Sequence, residues 1–218
     1  MDPERLPCCG PAFAELFDER EAQHDLELYR AGGPSAAARQ LISALTEAGV
    51  QDAELIDIGA GVGAVFNGLL AAGAARALDV DYSAAFIEVA REESARRGYA
   101  DRVEFRFGDF VQLAPEIQAA DVVTLDRVIC CYPNVRALIG LSASRARRLY
   151  GLVAPVDRWW TRAGAAVVNR LMWLTRRRMR FYVHRSSLVD GLLASAGFAP
   201  ITRQRAGFWE VVAYRRTE

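Results

Sequence analysis

The feature that most constrains this chain is the run Asp57-Ile58-Gly59-Ala60-Gly61-Val62-Gly63, which closes the short apolar segment Glu54–Ile58 and leads into the helical composition of residues 64–72. Glycines at a strand-to-helix turn accept positive φ and let a ligand approach bare backbone. Downstream, Arg76–Val80, Val103–Phe107, Asp121–Leu125 and Arg148–Val153 read as further strands separated by helical stretches. One of those stretches is capped by Ser83 and runs to about Arg97. Strands alternating with helices imply parallel βαβ units, and therefore a doubly wound sheet covered on both faces.

The flanks depart from strict alternation. Residues 13–30 predict a charged helix stopped by Gly32-Gly33-Pro34, and a second helix follows from Ser35 to about Ala48. After Ala154-Pro155, residues 157–178 predict a helix with Arg158, Arg162, Asn169 and Arg176 on a polar stripe opposite Trp160, Val167, Leu171 and Leu174. An extended piece from Arg180 to His184 and a helix begun by Ser186 or Ser187 come next. Two strands near residues 200–205 and 208–214 close the chain as an antiparallel edge.

With 218 residues, 52% of them hydrophobic and 25% charged, the chain has enough apolar surface for one sizeable core. A single domain over 1–218 is expected. It divides into an N-terminal helical cover (1–50), a ligand-binding half (51–155), a helical insertion (156–185) and a closing helix with edge strands (186–218). Basic and acidic residues balance at 27 each, so net charge selects no partner. The distribution is uneven, however: residues 142–185 hold eleven arginines against one acid, Asp157. That stretch suits a small anionic ligand, a lipid headgroup layer or nucleic acid.

Two adjacent cysteine pairs, Cys8-Cys9 and Cys130-Cys131, lack zinc-site spacing, so no metal is expected and a reduced cytoplasmic protein is the natural reading. No apolar run reaches the length of a membrane span, which leaves only peripheral contact with a bilayer. Oligomeric state is not legible.

Three acids stand at the ends of three successive strands. Asp57 stands two residues before the first glycine, where it suits a ligand with an amino group and a cationic centre and would repel a pyrophosphate. Asp81, beside Tyr82, lies within reach of ribose hydroxyls. Asp109 is placed to accept from an adenine amino group, with Phe110 packing on the ring. Gly59, Gly61 and Ala64 also satisfy the dinucleotide fingerprint, so binding of a nicotinamide dinucleotide stands as the competing nucleotide reading.

This series resembles the class I S-adenosylmethionine-dependent methyltransferases. The resemblance implies a Rossmann-like, doubly wound, mostly parallel seven-stranded sheet with an antiparallel edge strand, N-terminal helices and a helical insertion after strand five. It implies S-adenosylmethionine as cofactor and S-adenosylhomocysteine as product, held by Asp57, Gly59, Gly61, Gly63, Asp81, Tyr82, Asp109 and Phe110. A narrower similarity to the magnesium-protoporphyrin IX O-methyltransferases, which methylate a propionate carboxylate, rests on four matches. These are Tyr29-Arg30 before the glycine stop, Leu125-Asp126 leading to Tyr132-Pro133, Ala154-Pro155, and Arg180 to His184. It adds Tyr29, Arg30 and Asp126 to the cofactor set. The chain departs from that group in having Cys131 where a histidine is usual, with one extra residue in the loop.

The acceptor is expected to be a small organic molecule bearing an acid or hydroxyl group. Tyr132 and His184 are the candidate catalytic residues, and Cys131, Trp160 and Tyr182 the candidate substrate contacts. A lone histidine is as often structural as basic. Tyrosine and tryptophan at these positions also fit as packing residues, and the cysteines fit as buried small apolar groups. Two further readings compete: a nucleic-acid-modifying or nucleic-acid-binding protein using the arginine-rich segment, and a cofactor-binding module without turnover.

Overall fold

A computed structural model of the chain describes residues 17–176 and 179–217. Helix α1 (Glu19–Gly32) is capped by Asp18, whose side chain accepts from the Glu21 amide at 2.9 Å. The expected earlier start of this helix, with Phe13 and Leu16, lies outside the described residues, as does the Cys8-Cys9 pair. Helix α2 (Ala36–Gly49) follows, capped by Ser35. The alternating section then runs β1 (Glu54–Ile58), α3 (Ala64–Ala71), β2 (Arg76–Asp81), α4 (Ala84–Arg96), β3 (Val103–Phe107), the single turn α5 (Phe110–Leu113), β4 (Ala120–Asp126), α6 (Val135–Arg145) and β5 (Ala146–Pro155). Helices α7 (Trp159–Leu174) and α8 (Ser186–Ser195) lead to the hairpin β6 (Phe198–Ala206) and β7 (Trp209–Arg216).

The seven strands form one sheet in the order β3-β2-β1-β4-β5-β7-β6. Strands β1 to β5 pair in parallel, while β7 pairs antiparallel with both β5 and β6. The antiparallel strand is therefore one position in from the edge, because a tight turn at Gly207 (φ 59°) returns β7 beside β5 and leaves β6 outermost. The exposed arginines Arg203 and Arg205 sit on that edge strand, where charge discourages further pairing.

Period-two alternation divides the core. On β5, Tyr150 and Leu152 face a layer with Leu138, Ile139, Val189 and Phe198, while Leu149 and Val153 face the other layer, with Leu41, Leu45, Phe66 and Leu69. Gly151 lies between Leu149 and Val153. A Cβ there would come within 2.9 Å of Leu41 and Leu45, so the close approach of α2 to the sheet requires glycine. The strand order reverses between β1 and β4, which opens a crevice beyond their carboxyl ends.

Candidate functional site

The glycine turn occupies that crevice. Gly59, Gly61 and Gly63 take φ of 65°, 58° and 76°. A Cβ at Gly59 would lie 2.8 Å from Val128 in the loop after β4, and one at Gly63 would lie 2.4 Å from Phe66. The turn is thus pressed between β4's loop and the start of α3.

Asp81 braces this turn. One carboxylate oxygen accepts from the Gly61 amide at 3.3 Å, the other from the Ser83 amide at 2.8 Å. Burial raises its pKa despite those donors. Asp109 caps α5 by accepting from the Val111 amide at 3.0 Å, and both its oxygens lie 3.0 Å from the Tyr132 hydroxyl. Between the two acids is a cavity of about 70 Å³ lined by Gly59, Asp81, Tyr82, Asp109, Phe110 and Tyr132. The Tyr82 and Phe107 rings, 5.6 Å apart, continue its wall toward solvent.

Asp57 sits behind the turn, fully buried. Its oxygens accept from the Thr124 hydroxyl at 2.7 Å and the Phe66 amide at 3.2 Å. Burial pushes its pKa up to about 7; Thr124 and Phe66 oppose the shift, and the charges of Asp126 and Asp81 add to it. In sheet register Asp57 lies between Asp79 and Thr124. Asp79 is also fully buried, and burial with the neighbouring Asp81 and Asp57 carboxylates raises its pKa well above the usual range. The sequence reading missed Asp79 and Thr124. A carboxylate inside the apolar strand Arg76–Asp81 was the available signal.

Asp126 ends β4, nearly buried, and pairs with Arg127 at 3.1 Å. Tyr29 and Arg30 are elsewhere. The Tyr29 ring is buried under the Arg97 guanidinium (5.2 Å), and Arg30 pairs with Glu92 and Glu93 at 2.9 and 3.0 Å. Those partners lie at the carboxyl end of α4, a helix whose amino end adjoins the turn. The structure thus places Tyr29 and Arg30 away from the glycine turn: α1 runs alongside α4 and sets both residues against that helix's carboxyl end.

Beside the cradle, the segment after α7 is tied to the loop after β4. The Tyr182 amide donates to the Cys130 carbonyl at 2.7 Å, and His184 Nε2 donates to the Tyr132 carbonyl at 3.0 Å. The Tyr182 and His184 rings stack at 5.7 Å. Burial lowers the His184 pKa, against the Tyr132 and Ile129 carbonyls, so the ring is neutral near pH 7. Cys130 is buried, its Sγ 3.7 Å from that of Cys131, and this contact together with burial holds its thiol protonated. Trp160 is not brought to this cluster: it lies on the outer side of α7, 46% exposed, with its ring edge toward Phe208 at 6.3 Å.

A doubly wound sheet with a glycine turn at its switch point and acids after β2 and β3 defines a nucleoside-binding class of enzyme fold. Residues 56–144 match the family model described as a methyltransferase domain. Over those residues the chain is similar to methyltransferase domains.

A curated relative, the ribosomal protein L11 methyltransferase of Klebsiella pneumoniae (strain 342), is 29% identical over 168 residues. The match covers 70% of this chain but only 56% of that protein, so the chain spans little more than half of the relative's length. Among solved structures, the magnesium protoporphyrin IX methyltransferase of Synechocystis PCC 6803 with bound S-adenosylhomocysteine superposes with a TM-score of 0.67 at 22% identity, covering 83% of this chain and 81% of that one. An O-methyltransferase family protein from Burkholderia thailandensis gives a TM-score of 0.72 at 19% identity, over 94% and 63% of the two chains. These likenesses concern the fold.

Proposed function

We propose that the protein transfers a methyl group from S-adenosylmethionine to a small organic acceptor bearing an acid or hydroxyl group, bound between the loop after β4 and the segment Arg180 to His184. The observation that carries the reading is the pair of hydrogen bonds from the Tyr182 amide to the Cys130 carbonyl and from the His184 side chain to the Tyr132 carbonyl, which sets an imidazole beside the cradle lined by Asp81, Asp109 and Tyr132. When bound, S-adenosylmethionine would supply a sulfonium-activated methyl carbon, to which the acceptor oxygen would bond as the sulfur leaves in line as S-adenosylhomocysteine. Asp81 and Asp109 suit its ribose and adenine, and the bare turn from Gly59 to Gly63 leaves room for its amino-acid end.

The residues of this chain align the acceptor and exclude water, effects that together reach about 7–11 kcal/mol in well-oriented systems. A carboxylate acceptor attacks without a base. A hydroxyl acceptor loses a proton, and the neutral His184 imidazole, held at the Tyr132 carbonyl, is the base candidate beside the cradle.

The test uses isotopically labelled methyl donor with a panel of small carboxylic acids and phenols, alongside protein and nucleic-acid acceptors. Label in a small ester or ether supports the reading, and label confined to protein or RNA replaces it. With a hydroxyl acceptor, His184→Gln lowers turnover by about 100-fold or more. With a carboxylate the loss is far smaller.

A further inference from the structure

Helix α7 presents an apolar face to solvent. Of its sixteen residues only Thr161 and Ala165 are buried, and with the half-buried Asn169 and Met172 they form one stripe at helical spacing. Asn169 fastens that stripe, its side chain donating to the Phe181 carbonyl at 2.8 Å and accepting from the Phe181 amide at 2.7 Å. The opposite side carries Trp160, Val167, Leu171 and Leu174, which are 46%, 60%, 57% and 60% exposed. A helix on the surface of a water-soluble domain normally turns its apolar stripe inward. Single exposed apolar residues are ordinary, but a contiguous face of them marks an interaction site.

Between the docked stripe and the apolar face runs a band of Trp159, Arg162, Arg170 and Trp173. The Arg170 guanidinium lies 4.5 Å over the Trp173 ring. Asp157, the single acid in the sequence from 142 to 185, is already bonded to Arg162. Arg158, Arg170 and Arg176, on and beside the helix, have no further acid within that stretch of sequence.

We propose that α7 is a membrane-surface docking helix, lying in the headgroup layer of an anionic bilayer with Trp160, Val167, Leu171 and Leu174 toward the acyl chains and the arginine band toward the phosphates. Charge decides among the occupants. A second copy docking through the same face would bring two arginine bands together. A nucleic acid would leave the apolar face in water. A bilayer satisfies both features at once, since apolar burial and phosphate attraction add, and tryptophan favours the interface. No helix among the described residues is long and apolar enough to cross a membrane, so α7 lies on the bilayer. This inference stands apart from the methyl-transfer reading.

Flotation of the full chain with vesicles of phosphatidylcholine alone, or of phosphatidylcholine mixed with phosphatidylglycerol, tests it. The protein is expected to float with the anionic vesicles only, to be released by salt, and to show a blue-shifted tryptophan emission when bound. Replacing Arg170 and Arg176 together by Gln should lower the partition coefficient at least about tenfold. The triple variant Trp160→Ser, Leu171→Ser, Leu174→Ser should abolish flotation. Calorimetric binding of S-adenosylhomocysteine by both variants establishes that they are folded. Failure to bind anionic vesicles, or equal binding to neutral ones, overturns the proposal. So does a dimer in solution that the triple variant dissolves, since the face would then belong to a second copy. Vesicle binding by a protein that takes no S-adenosylhomocysteine would overturn the methyltransferase reading and leave the docking face standing.

Discussion

The Tyr132 hydroxyl lies 3.0 Å from both carboxylate oxygens of Asp109 and donates between them, linking the loop after β4 to the acid after β3. The sequence offers Tyr132 as a catalytic candidate; in the structure its hydroxyl is bonded to Asp109. Tyr132→Phe removes a hydrogen bond to a charged acceptor at a buried position, a loss of about 1–2 kcal/mol. S-adenosylhomocysteine should bind roughly five- to thirtyfold more weakly by calorimetry, with the fold retained. Unchanged affinity in a folded variant would separate Tyr132 from the cradle.

Asp57 makes the affinity for a cationic cofactor depend on pH. Its folded pKa, about 7, lies above the ordinary 3.8, so the native state holds this proton where the unfolded chain has lost it. The stability of the ligand-free protein contributed by this group therefore falls as pH rises from about 4 through about 7. Asp79, Asp81 and Asp126 shift in the same direction and add to the trend. A sulfonium cation favours the ionised carboxylates, so S-adenosylmethionine should bind more tightly at about pH 8 than at about pH 6, by up to about tenfold. S-adenosylhomocysteine lacks that charge and should show a shallower dependence. Equal slopes for the two ligands, measured by calorimetry, would remove Asp57 from the electrostatics of the site.

Glu93 binds Arg30, a residue that the sequence placed at the cofactor. Its side chain is fully buried, and Arg96, Arg97 and Arg30 bond to it at 2.6, 2.7 and 3.0 Å. Burial alone would raise its pKa, yet these arginines hold it down to about 2. A depressed acid stabilises the fold above its ordinary pKa of 4.5, and that stability is lost as pH falls through about 2. Glu93→Gln is expected to cost about 2–3 kcal/mol near neutral pH, read as a lowered Tm, and little at about pH 2. Arg30→Ala should lower Tm more mildly and leave S-adenosylhomocysteine affinity unchanged. Strong loss of that affinity in a stable Arg30→Ala protein would return Arg30 to the site.

The sequence by itself determined what depends on local order. The strands from Glu54 to Val153, the glycine turn after β1, the caps Ser35 and Ser83 and the acids after β2 and β3 are all written in contiguous residues, because period-two alternation, positive-φ glycines and capping side chains act over a few positions. Helix ends were less legible: α7 stops at Leu174, short of the expected Arg178, because Asn169 draws the Phe181 backbone back against the helix and the chain turns at Arg176 (φ 58°).

Tertiary structure alone decided which distant residues meet. Asp79, Asp57 and Thr124 form a row only because three parallel strands pair in one register. Tyr132 reaches Asp109 only because the loop after β4 folds across the end of β3, and Tyr29 and Arg30 lie away from the glycine turn because α1 runs alongside α4. Sequence spacing records neither strand register nor the direction in which a covering helix lies, since both are set by side-chain packing between segments far apart in the chain.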